Sequence, residues 1–105
     1  MRVIPKDKVI FSFNAEHPCQ YTVQDGETFW VETDDCYSGQ ITDASVKRPD
    51  IDISIIDCSV GPIAVQGARP GDTLCVEILA IEFGPQGVMV TSKGLGVLGD
   101  RITEP

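Results

Sequence analysis

Gly61-Pro62-Ile63-Ala64-Val65-Gln66-Gly67-Ala68-Arg69-Pro70-Gly71-Asp72-Thr73-Leu74-Cys75-Val76-Glu77-Ile78 reads as two short strands separated by a tight turn. Ile63, Ala64 and Val65 form an apolar run. Gly67 to Gly71 interrupt it, and Leu74, Val76 and Ile78 alternate with smaller or polar residues afterwards. Pro70 presets the backbone angle of a turn, and Gly71 takes a left-handed conformation that would strain any other residue. The same pattern recurs outward in both directions, with no amphipathic helix to interrupt it.

Upstream, Val9, Phe11 and Phe13 alternate with Ile10, Ser12 and Asn14, which predicts a strand with one apolar face. Pro18 bars a regular ladder, and Tyr21 and Val23 resume the alternation before an Asp25-Gly26 turn. Phe29, Val31 and Thr33 then face one way, and Thr28, Trp30 and Glu32 the other. Residues 34–50 read as a long loop with a helical turn near Asp43 to Val46, and such a loop usually covers or performs something. Ile51, Ile53 and Ile55 alternate as a further strand. Val76 to Phe83 is another, closed by Gly84-Pro85, with a short return at Val88 to Thr91. The glycines of the 94–99 tail weaken any strand and point to close approach of another backbone or a partner. The expected fold is an all-β domain, one jelly-roll-like β-sandwich over residues 1–105 with short strands and one long loop.

An internal echo accompanies this pattern. Asp25-Gly26-Glu27-Thr28-Phe29-Trp30-Val31-Glu32 resembles Pro70-Gly71-Asp72-Thr73-Leu74-Cys75-Val76-Glu77. Reuse of a good turn and an old duplication both explain it, and two copies do not separate them.

Composition narrows the function. The 105 residues carry a formal charge of −8, which excludes a phosphate-binding stripe and with it nucleic acid as a partner. No apolar run approaches the roughly 20 residues of a membrane-spanning helix. The first eight residues show no hydrophobic leader, so a cytoplasmic location is expected. Cys19, Cys36, Cys58 and Cys75 are widely spaced, fit no paired zinc motif and read as reduced thiols.

The stretch best suited to chemistry is Thr33-Asp34-Asp35-Cys36-Tyr37-Ser38-Gly39-Gln40-Ile41. A strand end holds a functional group rigidly, and neighbouring side chains on extended backbone point to opposite faces. Only one of Asp34 and Asp35 is therefore expected to face a site, and a solvated acidic loop is the plain alternative. Cys36 would need a base to act as a nucleophile. His17 is the only histidine and sits in a loop without a companion motif, so that pair is not expected.

Three ordered blocks resemble the acetamidase/formamidase family. The first is Asp35-Cys36 followed by Gly39-Gln40, similar to the family's Thr-x-Asp-Cys-x-Gly-Gly-Gln, with Ser38 in place of the first glycine. The second runs from Asp57 through Gly61-Pro62 to Pro70-Gly71-Asp72. There the family has Asn-Pro-Ala-Thr before Gly-Pro, where this chain has Asp57-Cys58-Ser59-Val60. The third is Gln86-Gly87-Val88-Met89 and Gly94 to Gly99. The resemblance implies hydrolysis of short-chain amides such as formamide and acetamide to carboxylate and ammonia. It implies a divalent metal such as zinc, Asp35 as the active-site or metal-binding carboxylate, and Gly39 and Gln40 in substrate binding. Such an ion would polarise the amide carbonyl and activate a water. The family's later Asp, His and Gly-Asp-Gly-Glu motifs are absent, so the expected partner is a carboxy-terminal amidase polypeptide or a second copy of the chain. The rival expectation is a non-catalytic β-sandwich serving as a structural or oligomerisation module.

Overall fold

A computed structural model describes residues 1–105 as all-β, with six short strands, three single 3-10 turns and no α-helix. No helix is long and apolar enough to cross a membrane. The chain divides into two compact units. The first comprises Met1–Thr33 with Ser59–Pro85, and the second Asp34–Cys58 with Gln86–Pro105.

The first unit contains every strand. β1 (Val3–Ile4) runs parallel to β4 (Trp30–Val31), with Val3 opposite Trp30 and Ile4 opposite Val31. β2 (Val9–Ile10) runs antiparallel to β5 (Ser59–Val60). β3 (Tyr21–Val23) runs parallel to β6 (Ile63–Val65), with Tyr21 opposite Ile63 and Val23 opposite Val65. Flanking bonds extend these ladders: the Trp30 and Glu32 amides donate to the Arg2 and Ile4 carbonyls, both at 2.9 Å. Parallel pairs cannot be closed by a hairpin, so each needs a long crossover, and the intervening segments supply it. The buried apolar residues of this unit are Ile4, only 1% exposed, and Val23.

The strands expected at 21–23 and 63–65 form where the alternation places them. Val9 and Ile10 ladder, whereas Phe11 and Phe13 of the same predicted strand lie exposed outside it. Residues 51–55 are not a strand. Asp52 accepts a hydrogen bond from the Ser54 amide at 2.9 Å and caps a 3-10 turn at Ile53–Ile55. A short acid two residues before an amide offers the backbone a local partner, and that competes with the ladder. The strands predicted at 76–83 and 88–91 also form no ladder. Where a helical turn is expected near Asp43 to Val46, the chain makes one hydrogen-bonded turn that is not helical, closed by Val46 N–H on the Asp43 carbonyl at 3.2 Å.

The two echoing turns have one geometry. In the first, the Glu27 amide donates to the Gln24 carbonyl while Glu27 Oε1 accepts from the Gln24 amide at 3.0 Å. In the second, the Asp72 amide donates to the Arg69 carbonyl while Asp72 Oδ2 accepts from the Arg69 amide at 2.8 Å. Gly26 and Gly71 both take positive φ, at 76° and 96°. Gly71 follows Pro70 as a type II turn requires.

Glu27 also receives Arg2, whose Nη2 lies 2.8 Å from Oε2 and 2.8 Å from the Thr22 carbonyl. The Gln24 amide first, and the Arg2 guanidinium second, hold the Glu27 carboxyl below its ordinary 4.5. A carboxylate whose folded pKa is depressed contributes stability above its unfolded pKa and loses it as the pH falls through the folded value. The protein is therefore expected to be fully stable on this account above pH 4.5 and to weaken below it. An acid titration followed through Trp30 fluorescence checks this, and Glu27→Gln should flatten part of the slope. In the opposite direction, Tyr21 donates its hydroxyl to Asp7 and is pushed up to about 12, chiefly by that hydrogen bond.

Candidate functional site

The second unit holds Asp35, Gly39 and Gln40. Asp35 organises the turn after β4: its Oδ1 accepts from the Tyr37 amide at 2.8 Å and from the Gly39 amide at 3.3 Å. Its carbonyl accepts from the Ser38 amide at 3.0 Å and from the Cys58 thiol at 3.4 Å. This is the Asx-type turn that a short carboxylate makes with its own downstream backbone. The residue remains exposed, and Oδ2 lies outside these bonds. The carboxylate is thus held by one oxygen.

The turn needs two consecutive left-handed residues, Ser38 with φ 55° and Gly39 with φ 71°. A Cβ on Gly39 would meet only the Asp34 carboxyl, at an ordinary 3.6 Å, so its backbone angle is what calls for glycine. Ser38 accepts the strain and donates its hydroxyl to the Ile55 carbonyl. Left-handed backbone costs a non-glycine residue about 1–2 kcal/mol, while a hydrogen bond contributes about 0.5–1.5 kcal/mol net. These nearly cancel. Ser38→Gly should therefore leave stability within about 0.5 kcal/mol of the parent, whereas Ser38→Ala, which keeps the strain and loses the bond, should cost about 1 kcal/mol. Denaturant midpoints of the two variants check the sign.

Gln40 works as a backbone clamp. Its Nε2 donates to the Asp52 carbonyl at 3.1 Å and its Oε1 accepts from the Asp52 amide at 2.8 Å. Both ends of the side-chain amide are therefore engaged inside the unit, and Ile41 beside it is buried.

The three sequence blocks converge here. From the second block, the Asp57 amide donates to the Cys36 carbonyl at 2.6 Å, and Cys58 reaches Asp35 as above. Asp57 takes φ 59°, a left-handed position that aspartate and asparagine tolerate better than most residues. From the third, Gln86 Nε2 donates to the Ile41 carbonyl at 2.9 Å. Residues separated by up to 45 positions thus brace one turn.

Sequence reasoning missed Tyr37. Its hydroxyl is pushed up first by burial and next by the neighbouring Cys36; Arg48 opposes the effect and Asp57 adds to it. The only sequence signal was an aromatic residue beside Asp-Cys, which spacing cannot distinguish from core. Cys36 itself is exposed, and all four cysteines are free thiols. His17, in the first unit, has Nε2 3.1 Å from both Ser12 Oγ and Asn14 Nδ2, a local loop network.

No three His, Cys, Asp or Glu side chains are grouped so that they could hold a metal ion. Asp35 offers one carboxylate where a structural or catalytic zinc needs three or four protein ligands. The chain's own residues therefore do not fit a divalent ion by themselves. Neither the concavity of about 430 Å³ beside His17 and Pro62 nor that of about 410 Å³ beside Arg48 and Met89 is lined by Asp35.

The Acetamidase/Formamidase family pattern matches residues 6–105. The chain is 34% identical over 100 residues to a formamidase of Methylophilus methylotrophus, a match covering 88% of this chain and 25% of that enzyme. It is 36% identical over 86 residues to an acetamidase of Mycolicibacterium smegmatis, covering 77% and 21% respectively. Among solved structures, an acetamidase from Bacillus halodurans superposes with a TM-score of 0.94 at 39% identity, over 98% of this chain and 35% of the other. The chain spans about a quarter of the length of the curated relatives it matches.

Proposed function

The chain belongs to the acetamidase/formamidase family, and on that premise we propose that it is the amino-terminal part of an amidohydrolase. The whole enzyme would hydrolyse short-chain amides, formamide or acetamide, to a carboxylate and ammonia. The observation that carries this reading is the convergence of all three family-like blocks on the turn that holds Asp35.

In this reading Asp35 is the active-site carboxylate. Gly39 supplies the left-handed turn that brings its amide to Asp35, and Gln40 fixes the floor of the turn through Asp52, so that any contribution to substrate binding is made by the one remaining donor of its amide. Asp35 could supply one ligand to a divalent ion such as zinc, and the others would come from outside this chain. A carboxy-terminal amidase polypeptide would complete the site. It would also supply the strands that turn three isolated pairs into a closed jelly-roll-like sandwich. Four free thiols suit a reducing compartment, which supports a cytoplasmic location.

The test is ammonia release from formamide and from acetamide by the assembly purified from its native cells. Carboxylate and ammonia formed in equal amounts would support the reading. An intact assembly containing both parts that releases neither from either amide would overturn it.

A further inference from the structure

Residues 11–20 connect β2 to β3, and both ends of the connection are pinned to consecutive strands. β2 ladders with β5 and β3 with β6. The Gly61 amide donates to the Lys8 carbonyl and the Gln20 amide to the Pro62 carbonyl, both at 3.0 Å. Between those anchors stand Ser12, Asn14 and His17, with Ser12 exposed and His17 half-buried. A connection held at both ends mounts its side chains in a defined geometry.

Asn14 fixes the direction of the hydrogen bonds among them. Its Oδ1 accepts from the Glu16 amide at 2.9 Å, so Nδ2 is the end that donates, to Ser12 Oγ and to His17 Nε2, each at 3.1 Å. A ring nitrogen that accepts a hydrogen bond carries no proton. In the 3.1 Å contact between Ser12 Oγ and His17 Nε2 the hydroxyl is therefore the donor. That is a hydroxyl nucleophile with its general base, oriented by a third side chain that touches both. His17 is the only histidine, so no other hydroxyl of the chain has an imidazole beside it.

Ser12 and His17 also line the concavity of about 430 Å³, together with Ile10, Phe11, Pro18 and Pro62. A space of that size takes a small ligand, and its wall offers an acyl group apolar surface. Lys8 is the one lysine or arginine of the wall, while the Asp7 carboxylate there accepts the Tyr21 hydroxyl. Positive charge beside the pair favours a substrate oxygen that turns negative during attack.

We infer that Ser12 is an acyl-acceptor site, activated by His17, for small acyl groups carried on activated esters. Ser12 Oγ bonds to the acyl carbon as the ester C–O bond breaks. The hydroxyl proton passes to His17 Nε2 and from there to the departing oxygen, leaving acyl-Ser12 and the free alcohol. Asn14 is a positioning residue. The site is separate from the amide chemistry assigned to Asp35, which lies in the other unit.

The test is brief exposure of the protein, purified whole from its native cells, to p-nitrophenyl acetate, followed by peptide mass mapping. A dithiothreitol wash strips acetyl thioesters from the four free cysteines and leaves an oxygen ester in place. Acetate should be found on Ser12 ahead of every other serine and threonine of the chain. His17→Gln keeps an amide oxygen that can accept from Ser12 and Asn14 but has no base. It should slow acetylation of Ser12 about 100-fold or more, with the slow background on lysines unchanged as internal control. Asp35→Asn should label Ser12 at the parental rate. Acetate confined to lysines and the amino terminus, or Ser12 labelled equally fast in His17→Gln, would overturn the inference. Loss of the Ser12 label in Asp35→Asn would overturn it too, by making the label a product of the Asp35 site.

Discussion

Gly99→Ala is expected to destabilise the second unit by about 1–3 kcal/mol, the usual cost of forcing extra atoms into a closed contact. A Cβ on Gly99 would lie 2.6 Å from the Gly94 carbonyl carbon, 2.9 Å from its Cα and 3.0 Å from its nitrogen. All three are backbone atoms, so no side chain can swing away to make room. The Gly94 amide also donates to the Gly99 carbonyl at 2.9 Å, and the Gly99 amide to that of Gly96 at 3.1 Å. Moving Gly94 would stretch the bond that closes this loop. Gly87→Ala is the control, because nothing lies within 4 Å of its Cβ position. Denaturant midpoints should fall for Gly99→Ala and stay close to the parent for Gly87→Ala.

That contact was partly legible in the sequence. Three glycines among apolar residues at 94–99 announced a close backbone approach, but not that the neighbour would be Gly94 itself. The turns at Asp25-Gly26 and Pro70-Gly71 were legible because proline and glycine act locally, through φ. Strands at 21–23 and 63–65 were legible because both members of the pair lie in the chain. Residues 76–83 carry an equally good alternation and form no ladder. Alternation reports what a segment can pair with, and in this structure no second segment pairs with 76–83. Ile51 to Ile55 failed differently. There Asp52 offered the Ser54 amide a partner two residues away, and a local bond formed where a distant one was expected.

The site divides along the same line. Asp35, Gly39 and Gln40 were found through a motif, and the structure gives each a local task that spacing could not specify: Asx-turn acceptor, left-handed residue and clamp on Asp52. Tyr37 carried no separate signal, since the influence of Asp57 and Arg48 on it arises from tertiary packing. The metal expected from the resemblance has no assembled ligand set here, and no spacing within this chain could have supplied one.

Asp35→Asn should separate the structural task of this residue from the chemical one. Asparagine keeps an oxygen at the position that accepts from the Tyr37 and Gly39 amides, so the turn should persist. Stability should stay within about 0.5 kcal/mol of the parent, as surface changes that keep their bonds usually do. The charge is lost, however, and with it any role as base or ligand. Ammonia release by the assembly should fall about 100-fold or more, the lower end of what a positioned acid or base contributes. Asp35→Ala removes both functions. It should cost about 1 kcal/mol, as loss of a comparable cap does, in addition to the activity. The pair is decisive because a purely structural Asp35 predicts a split instead of a shared loss: alanine would impair activity through misfolding, and asparagine would leave it intact. Full amide hydrolysis by the Asp35→Asn assembly would therefore assign the carboxylate to the turn alone.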